Sequence, residues 1–197
     1  GKYLLFDANT GPDALDKDRR HIARVSVDKA DMKVLSPGNG NEWTAISVDD
    51  HAGYVYIGSS PQKPPQIMVS QGNGSAKSLT ADLIPKEYPS NALVEPKQVI
   101  LKSLDGLTLH GQLFDNSNGT QKKPAIIFIH GGPPRQMLLG WHYSDYYSNA
   151  YALNQYLANL GFVVLSVNYR LGIGYGYDFH NPKSAGQWGA SEYLDIK

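Results

Sequence analysis

The chain has 197 residues, with 18 Lys and Arg residues against 18 Asp and Glu residues, so its formal net charge is zero. This balance offers no electrostatic attraction to nucleic acid or to an anionic membrane, and we expect neither partner. The longest apolar runs, Ala125–Ile129 and Phe162–Leu165, are far shorter than the ~20 residues of a membrane-spanning helix. The absence of cysteine excludes disulfides, thiolate metal sites and a thiol nucleophile. We expect a soluble protein of unassigned compartment, cytoplasmic, periplasmic or secreted, because the residues before Asp7 carry no targeting segment.

The first half of the chain contains an internal repeat. Each copy reads as short strands separated by turns rich in Gly and Asp. About four short strands in roughly 40–45 residues are what one blade of a β-propeller requires, although an ordinary β-meander with two similar hairpins is the alternative. We therefore predict the last blades of a β-propeller over residues 1–84. The residues that recur 44 positions later are Val25-Ser26 as Val69-Ser70, Lys33 as Lys77 and Leu35 as Leu79.

Alternation of apolar and polar residues predicts an antiparallel hairpin between the two copies. Its strands are Trp43–Val48 and Tyr54–Ile57, joined by the turn Asp49–Gly53. The run Lys2–Phe6 fits the place that Gly53–Ile57 takes in the second copy. The chain is therefore expected to begin inside a repeat.

Prolines mark a boundary after the second copy, because they remove backbone donors and suit connectors. We predict a linker over residues 85–96 and a second domain over residues 97–197. The second domain opens with a predicted hairpin, Gln98–Lys102 and Leu107–Phe114, around an Asp-Gly turn.

A strand, a helix and a second strand follow in the second domain. Ala125–Ile129 reads as a strand buried on both faces, and Phe162–Asn168 reads as another. A helix from about Asn149 to Leu160 is predicted between them, and Gly161 lies where a left-handed cap ends a helix. This order predicts a βαβ crossover with parallel pairing, and hence an α/β domain. The predicted buried face of the helix consists of Tyr151, Leu153, Tyr156, Leu157 and Leu160.

The loop that leaves the first of these strands is a candidate oxyanion site. Its residues are His130, Gly131, Gly132 and Pro133. Paired glycines let backbone N–H groups face a ligand without obstruction by Cβ, and α/β-hydrolases build half of their oxyanion hole from such a loop. A tight turn out of a strand is the alternative explanation.

The loop Asn168–Gly176, which leaves the second strand, contains a Gly-x-Gly-x-Gly run. A dinucleotide site requires G-x-G-x-x-G at the start of a helix, and this spacing differs. We therefore expect no cofactor. The histidines lie far apart without metal-ligand spacing, and we expect no metal.

The second domain contains four motifs, His130–Arg135, Asn168–Gly176, Gln187-Trp188-Gly189 and Glu192–Asp195. Together they resemble the start of the catalytic domain in the prolyl oligopeptidase family of serine peptidases, nearest to the acylaminoacyl-peptidase and dipeptidyl-peptidase branches. This resemblance implies a β-propeller followed by an α/β-hydrolase domain, and an oxyanion loop at His130–Pro133. Several members carry a tyrosine at the place of His130, so the resemblance implies that donation here comes from backbone N–H groups.

No Gly-x-Ser-x-Gly nucleophile elbow occurs in the sequence. The closest serine, Ser191, follows Gly189 but lacks the second glycine, and we predict a helix start there. The resemblance implies that nucleophile, acid and base all follow Lys197, so the chain alone is expected to be inactive. Arg170 is expected to pair with Glu192 or Asp195. The residues predicted to line a substrate pocket or to support a loop are Arg135, Trp141, Tyr143, Tyr169 and Arg170.

The leading hypothesis is part of a serine peptidase that hydrolyses short peptides through an acyl-enzyme. A non-catalytic binding module that uses a propeller surface is one alternative, and a carboxylesterase of the α/β-hydrolase fold is another. Because the predicted parallel sheet has an unpaired apolar edge, we expect the isolated chain to self-associate.

Overall fold

The computed structural model describes residues 2–10, 13, 16–36, 38–48, 53–71, 75–117, 122–183, 185 and 191–197. Positions 49–52 of the predicted turn and the motif Gln187–Gly189 lie outside these residues. The chain forms two compact units, Gly1–Leu93 with Gly140–Tyr143, and Val94–Leu139 with Ser144–Lys197. Over the ranges that the structure describes, no helix has the length and apolar character needed to cross a membrane.

Two antiparallel sheets form the first unit, and their strands are neighbours in chain order. The orders are β1-β2-β3 and β4-β5-β6-β7. The predicted hairpin is confirmed, because β4 pairs with β5 from Asn41↔Ser59 to Val48↔Gly53. The strands are β1 (Tyr3–Ala8), β2 (His21–Ser26), β3 (Lys33–Val34), β4 (Asn41–Val48), β5 (Gly53–Ser60), β6 (Lys63–Ser70) and β7 (Ala76–Ser78).

The same hydrogen bonds close the last hairpin of each sheet, although the corresponding isoleucines, Ile22 and Ile67, lie 45 residues apart rather than the 44 of the sequence repeat. In both copies an isoleucine carbonyl accepts from a leucine N–H, at 2.7 Å in the first and 2.8 Å in the second. The hydroxyl of the residue that follows the leucine accepts from the N–H of the isoleucine, at 2.8 Å in the first copy and 3.1 Å in the second. The two hairpins therefore end alike, which coincidence in sequence would not require. The residues are Ile22, Leu35 and Ser36 in the first copy and Ile67, Leu79 and Thr80 in the second.

Aromatic and aliphatic side chains form the core of the first unit around Ile22, Tyr54 and Tyr56. Beside it, the imidazole of His21 is fully buried between two carboxylates, 2.9 Å from Glu42 and 2.9 Å from Asp16. Burial alone lowers the pKa of His21, but the hydrogen bonds and charges of Glu42 and Asp16 raise it above the ordinary value. This arrangement compensates a polar group that would otherwise be costly to bury.

A mixed four-stranded sheet, in the order β10-β11-β9-β8, forms the second unit. β8 (Lys97–Lys102) and β9 (Thr108–Phe114) make the predicted hairpin. β10 (Ala125–Ile129) pairs with β11 (Val163–Asn168) in parallel, so the predicted crossover is confirmed. The helices are α1 (Asp145–Asn159), α2 (Tyr177–His180) and α3 (Tyr193–Ile196).

Helix α1 differs from its prediction in its start and in its buried face. It begins at Asp145 rather than near Asn149, and Gly161 follows it at φ +96° as expected of a cap. Of the predicted face only Tyr151 is buried, whereas Leu153, Tyr156 and Leu160 are exposed. The reason is a contact distant in sequence: the Gln155 amide accepts from the Val94 N–H and donates to the Val94 carbonyl, which turns that polar face inward.

Strand β10 is also less buried than its composition predicts. Ile127 and Ile129 are about half exposed, 52% and 49%, whereas Val164 and Val167 of β11 are buried. β10 lies at the edge of the described sheet and β11 lies inside it, so their similar sequences have different surroundings. The prediction of a strand is correct, and the prediction of burial on both faces is wrong for β10.

Candidate functional site

The loop His130–Pro133 begins directly after β10, at its carboxyl end. Because β10 and β11 are parallel, the segment that follows Asn168 emerges at the same edge of the sheet. The structure thus brings together the two loops that the sequence singled out.

Two tyrosine hydroxyls hold the carbonyl groups of this loop. The hydroxyl of Tyr169, directly after β11, donates to the carbonyl oxygen of His130 at 2.8 Å. The hydroxyl of Tyr147, in the first turn of α1, donates to the carbonyl oxygen of Gly131. Both tyrosines are buried, at 6% exposure each. Two successive peptide groups are therefore fixed by side chains from two different elements.

The two glycines of the loop are exposed and uncrowded. A Cβ at Gly131 would meet no atom within 4 Å. Gly132 has φ +62°, a left-handed conformation that glycine adopts without steric cost. Neither backbone N–H has a hydrogen-bond partner among the described residues. The arrangement leaves two adjacent donors available to an incoming acceptor.

The side chain of His130 is buried within the loop rather than directed to solvent. Its ring stacks on Tyr169, with centroids 4.5 Å apart and planes at 20°, and meets Tyr147 edge-on at 6.3 Å. Burial, with a further contribution from the charge of Arg135, lowers the pKa of His130 to about 4. The imidazole is thus neutral at pH 7, and its Nε2 has no partner in the part of the chain that the structure describes.

The segment after the loop is fastened to the end of β11. The side chain of Asn168 accepts from the Met137 N–H at 2.7 Å and donates to the Met137 carbonyl at 2.9 Å. The Ile173 N–H donates to the Arg135 carbonyl at 3.1 Å. The Arg135 guanidinium is exposed and donates to the Pro134 carbonyl. Hydrogen bonds therefore hold the segment after the first loop against the second loop.

Arg170 is the centre of a buried ionic network. Its guanidinium binds both carboxylate oxygens of Asp195, with the shortest distance 2.6 Å, and both oxygens of Asp105 at 2.7 and 2.8 Å. It also donates to the Ser103 hydroxyl at 3.0 Å. Of the two carboxylates suggested by the sequence, the structure pairs Arg170 with Asp195. The partner Asp105, whose pKa these contacts lower, is an addition that the sequence reasoning missed.

Trp141 and Tyr143 lie with the first unit, and their described partners belong to it. The Arg20 guanidinium lies 4.2 Å from the centre of the Tyr143 ring and donates to its hydroxyl. The Trp141 ring lies 6.4 Å from Tyr88. Their assignment to a substrate pocket stays a prediction.

Ser191 is the serine that comes nearest to the nucleophile pattern in the sequence. Ser191 is buried and precedes the short helix α3, but Gly189 lies outside the described residues. The sequence analysis assigned no role to Tyr147, because the predicted helix begins near Asn149 and Tyr147 lies before it; in the structure the helix begins at Asp145.

Comparison with known proteins identifies related peptidases. Dipeptidyl aminopeptidase BIII of Pseudoxanthomonas mexicana is 36% identical over 92 residues, covering 46% of this chain and 12% of that protein. The acylamino-acid-releasing enzyme of Sus scrofa is 25% identical over 178 residues, covering 84% of this chain and 23% of that enzyme. The crystal structure of the Pyrococcus horikoshii acylaminoacyl peptidase superposes with a TM-score of 0.70 and 21% identity, covering 98% of this chain and 28% of that one. No protein-family model matches the chain.

These relatives are peptidases, which relates the chain to the hydrolase class. More narrowly, the matches support the prolyl oligopeptidase family, and the resemblance seen in the sequence motifs is confirmed. The structural likeness concerns the fold. The chain spans 12% and 23% of the length of the two curated relatives.

Proposed function

We propose that the chain is part of a serine peptidase that hydrolyses short peptides through an acyl-enzyme. The observation that carries this proposal is that Gly131 and Gly132, at the carboxyl end of β10, are exposed and that their N–H groups have no hydrogen-bond partner among the described residues. Preorganised N–H donors of this kind stabilise the negative oxygen of acyl-transfer intermediates. The matched peptidases support peptides, rather than other acyl compounds, as substrates.

The proposed architecture assigns residues 1–84 to the last blades of a β-propeller, 85–96 to a linker and 97–197 to the N-terminal part of an α/β-hydrolase domain. The four-stranded sheet β4–β7 has the strand count and order of one blade. The repeated hairpin closure supports a second, related blade. The small share of each relative that the chain covers supports a larger protein, with the catalytic triad after Lys197.

In this mechanism a serine outside the present sequence attacks the scissile carbonyl carbon. The serine proton passes to a histidine base, and the carbonyl π electrons move onto oxygen. The N–H groups of Gly131 and Gly132 would hold that oxygen as its charge develops. We do not propose His130 as a side-chain donor, because its ring is buried against Tyr169.

The proposal is tested by treating the complete gene product that contains this sequence with a fluorophosphonate, which tags activated serines. Intact mass spectrometry is expected to show one added phosphonyl group. The isolated 197-residue chain is the matched control and is expected to stay unlabelled. Hydrolysis of short peptides in preference to short esters favours the peptidase over the carboxylesterase. An unlabelled, folded gene product would overturn the proposal and favour a binding module.

A further inference from the structure

The carbonyl bonds made by Tyr147 and Tyr169 determine where the loop amides point. The His130 carbonyl and the Gly131 N–H belong to one peptide group, as do the Gly131 carbonyl and the Gly132 N–H. In a trans peptide the C=O and N–H bonds point in opposite directions, and the described chain contains no cis peptide. A hydroxyl that holds each carbonyl on one side therefore turns the attached N–H to the opposite side.

We propose that Tyr147 and Tyr169 are positioning residues that aim the Gly131 and Gly132 amides at the substrate oxygen. The inference deepens the proposed function and rests on it. The two carbonyl bonds are made from buried rings, whereas both glycines are exposed. The proposal places the amide N–H groups on the exposed side of the loop.

Neither tyrosine is free to drift. Tyr169 is stacked on His130, and the next residue, Arg170, is anchored by its backbone N–H and its guanidinium to Asp195. Tyr147 projects from the 15-residue helix α1 and packs with Met137 and Ala150. Burial, with the neighbouring charges of Tyr147 and Glu192, raises the pKa of Tyr169, so its hydroxyl keeps the proton it donates.

The glycines themselves make this restraint necessary. A glycine pair has the widest backbone freedom in the chain, and without restraints its amides sample orientations on both sides of the loop. Donors fixed before the reaction need no reorganisation when charge develops, which is the source of their catalytic value. The tyrosines thus supply the rigidity that the glycines lack, while no Cβ blocks the approach of substrate.

The test uses Tyr147→Phe and Tyr169→Phe in the complete gene product, with Tyr151→Phe as the matched control. Tyr151 lies one turn later on α1, is equally buried, and bonds to Gln155 rather than to the loop. We expect each loop variant to lower kcat by roughly 10- to 100-fold, with KM within about twofold, because only the transition-state oxygen needs aligned donors. Affinity for a peptide aldehyde, which forms a tetrahedral adduct, is expected to fall in parallel. The control is expected to keep kcat.

A second measurement separates this inference from the peptidase proposal. In the complete gene product, labelled with ¹³C at the carbonyl carbons of His and Gly, the resonances of His130 and Gly131 are expected to move upfield when the hydrogen bond from the tyrosine hydroxyl is lost. The His130 resonance is expected to move in Tyr169→Phe, the Gly131 resonance in Tyr147→Phe, and neither in Tyr151→Phe. If the gene product is not a peptidase but these shifts behave as described, the positioning of the loop by the two tyrosines is supported and the proposed peptidase function is refuted. Unchanged shifts, or a kcat loss no larger than that of Tyr151→Phe, would overturn the inference.

Discussion

Removal of the Arg170 guanidinium is expected to destabilise the second unit strongly. Arg170 is 4% exposed, and the side chain of its partner Asp195 is fully buried. Methionine at position 170 keeps much of the apolar stem but leaves the Asp195 carboxylate without its counter-ion. The other partner, Asp105, has 42% of its side chain exposed, so water replaces most of its interaction.

The expected loss follows from this difference in burial. Breaking a buried ion pair by removing one partner costs about 3–5 kcal/mol, because an uncompensated charge stays in the interior. Arg170→Met is therefore expected to destabilise the second unit by about that amount. Asp105→Asn is expected to cost much less. Asp195→Asn in the Arg170→Met background is expected to recover part of the loss, because the buried charge is then gone.

The assay is urea unfolding, monitored by hydrogen–deuterium exchange of peptides that cover Val163–Asn168, the strand β11 that directly precedes Tyr169 and Arg170. Urea is preferred to guanidinium because it does not screen charges. Exchange in β4–β6 of the first unit serves as an internal reference. If Arg170→Met costs less than ~1 kcal/mol, or if its effect adds to that of Asp195→Asn without coupling, the argument from buried charge is refuted.

Three further predictions concern the loop and the sheet edge. The pKa of His130 in the folded chain, about 4, lies below the ordinary 6.5, so the unfolded chain binds more protons between these two pH values. The free energy of unfolding is therefore expected to fall by up to about 3 kcal/mol as the pH drops from 6.5 to 4. In urea titrations the variant His130→Phe is expected to lose this pH dependence. Gly132→Ala is expected to cost about 1–2 kcal/mol, because φ is +62°, whereas Gly131→Ala leaves the unfolding midpoint nearly unchanged; equal costs would contradict the left-handed assignment. The isolated chain is expected to self-associate through the exposed edge strand β10, and Ile127→Lys is expected to lower the weight-average mass in analytical ultracentrifugation; a monomer at all concentrations would refute this.

Local sequence patterns predicted most of the secondary structure, because strands and turns here obey local rules. The Asp-Gly hairpin, the parallel crossover and the cap at Gly161 were all predictable from adjacent residues. The buried face of α1 was not, because it depends on the amide of Gln155 meeting the backbone of Val94, 61 residues away. An apolar stripe predicts burial only where the fold supplies a covering surface.

Candidate site residues were predictable as a loop but not as a geometry. The paired glycines after a buried strand indicate available amides, whereas their direction depends on tyrosines that lie 16 and 39 residues from their acceptors. Likewise, Arg170 was recognisable as a structural cation, but Asp105 was not recognisable as its partner, since 65 residues separate them. The geometry of the site depends on contacts between segments that are distant in the sequence, and local sequence patterns do not predict those contacts.

Spatial crowding separates two kinds of glycine in this site that look alike in the sequence. A Cβ at Gly172 would lie 2.8 Å from the Arg135 carbonyl, and one at Gly174 would lie 2.6 Å from the amide of Gln136. These glycines are needed for close packing between the two loops. Gly131, by contrast, has no atom within 4 Å of that position. A crowded Cβ position therefore marks a glycine that is needed for packing. Open space alone does not mark a ligand site, because Gly106 in the β8–β9 hairpin and Gly161 after α1 also have no atom within 4 Å. The case for Gly131 depends instead on its place after β10 and on the anchored carbonyl groups of the loop.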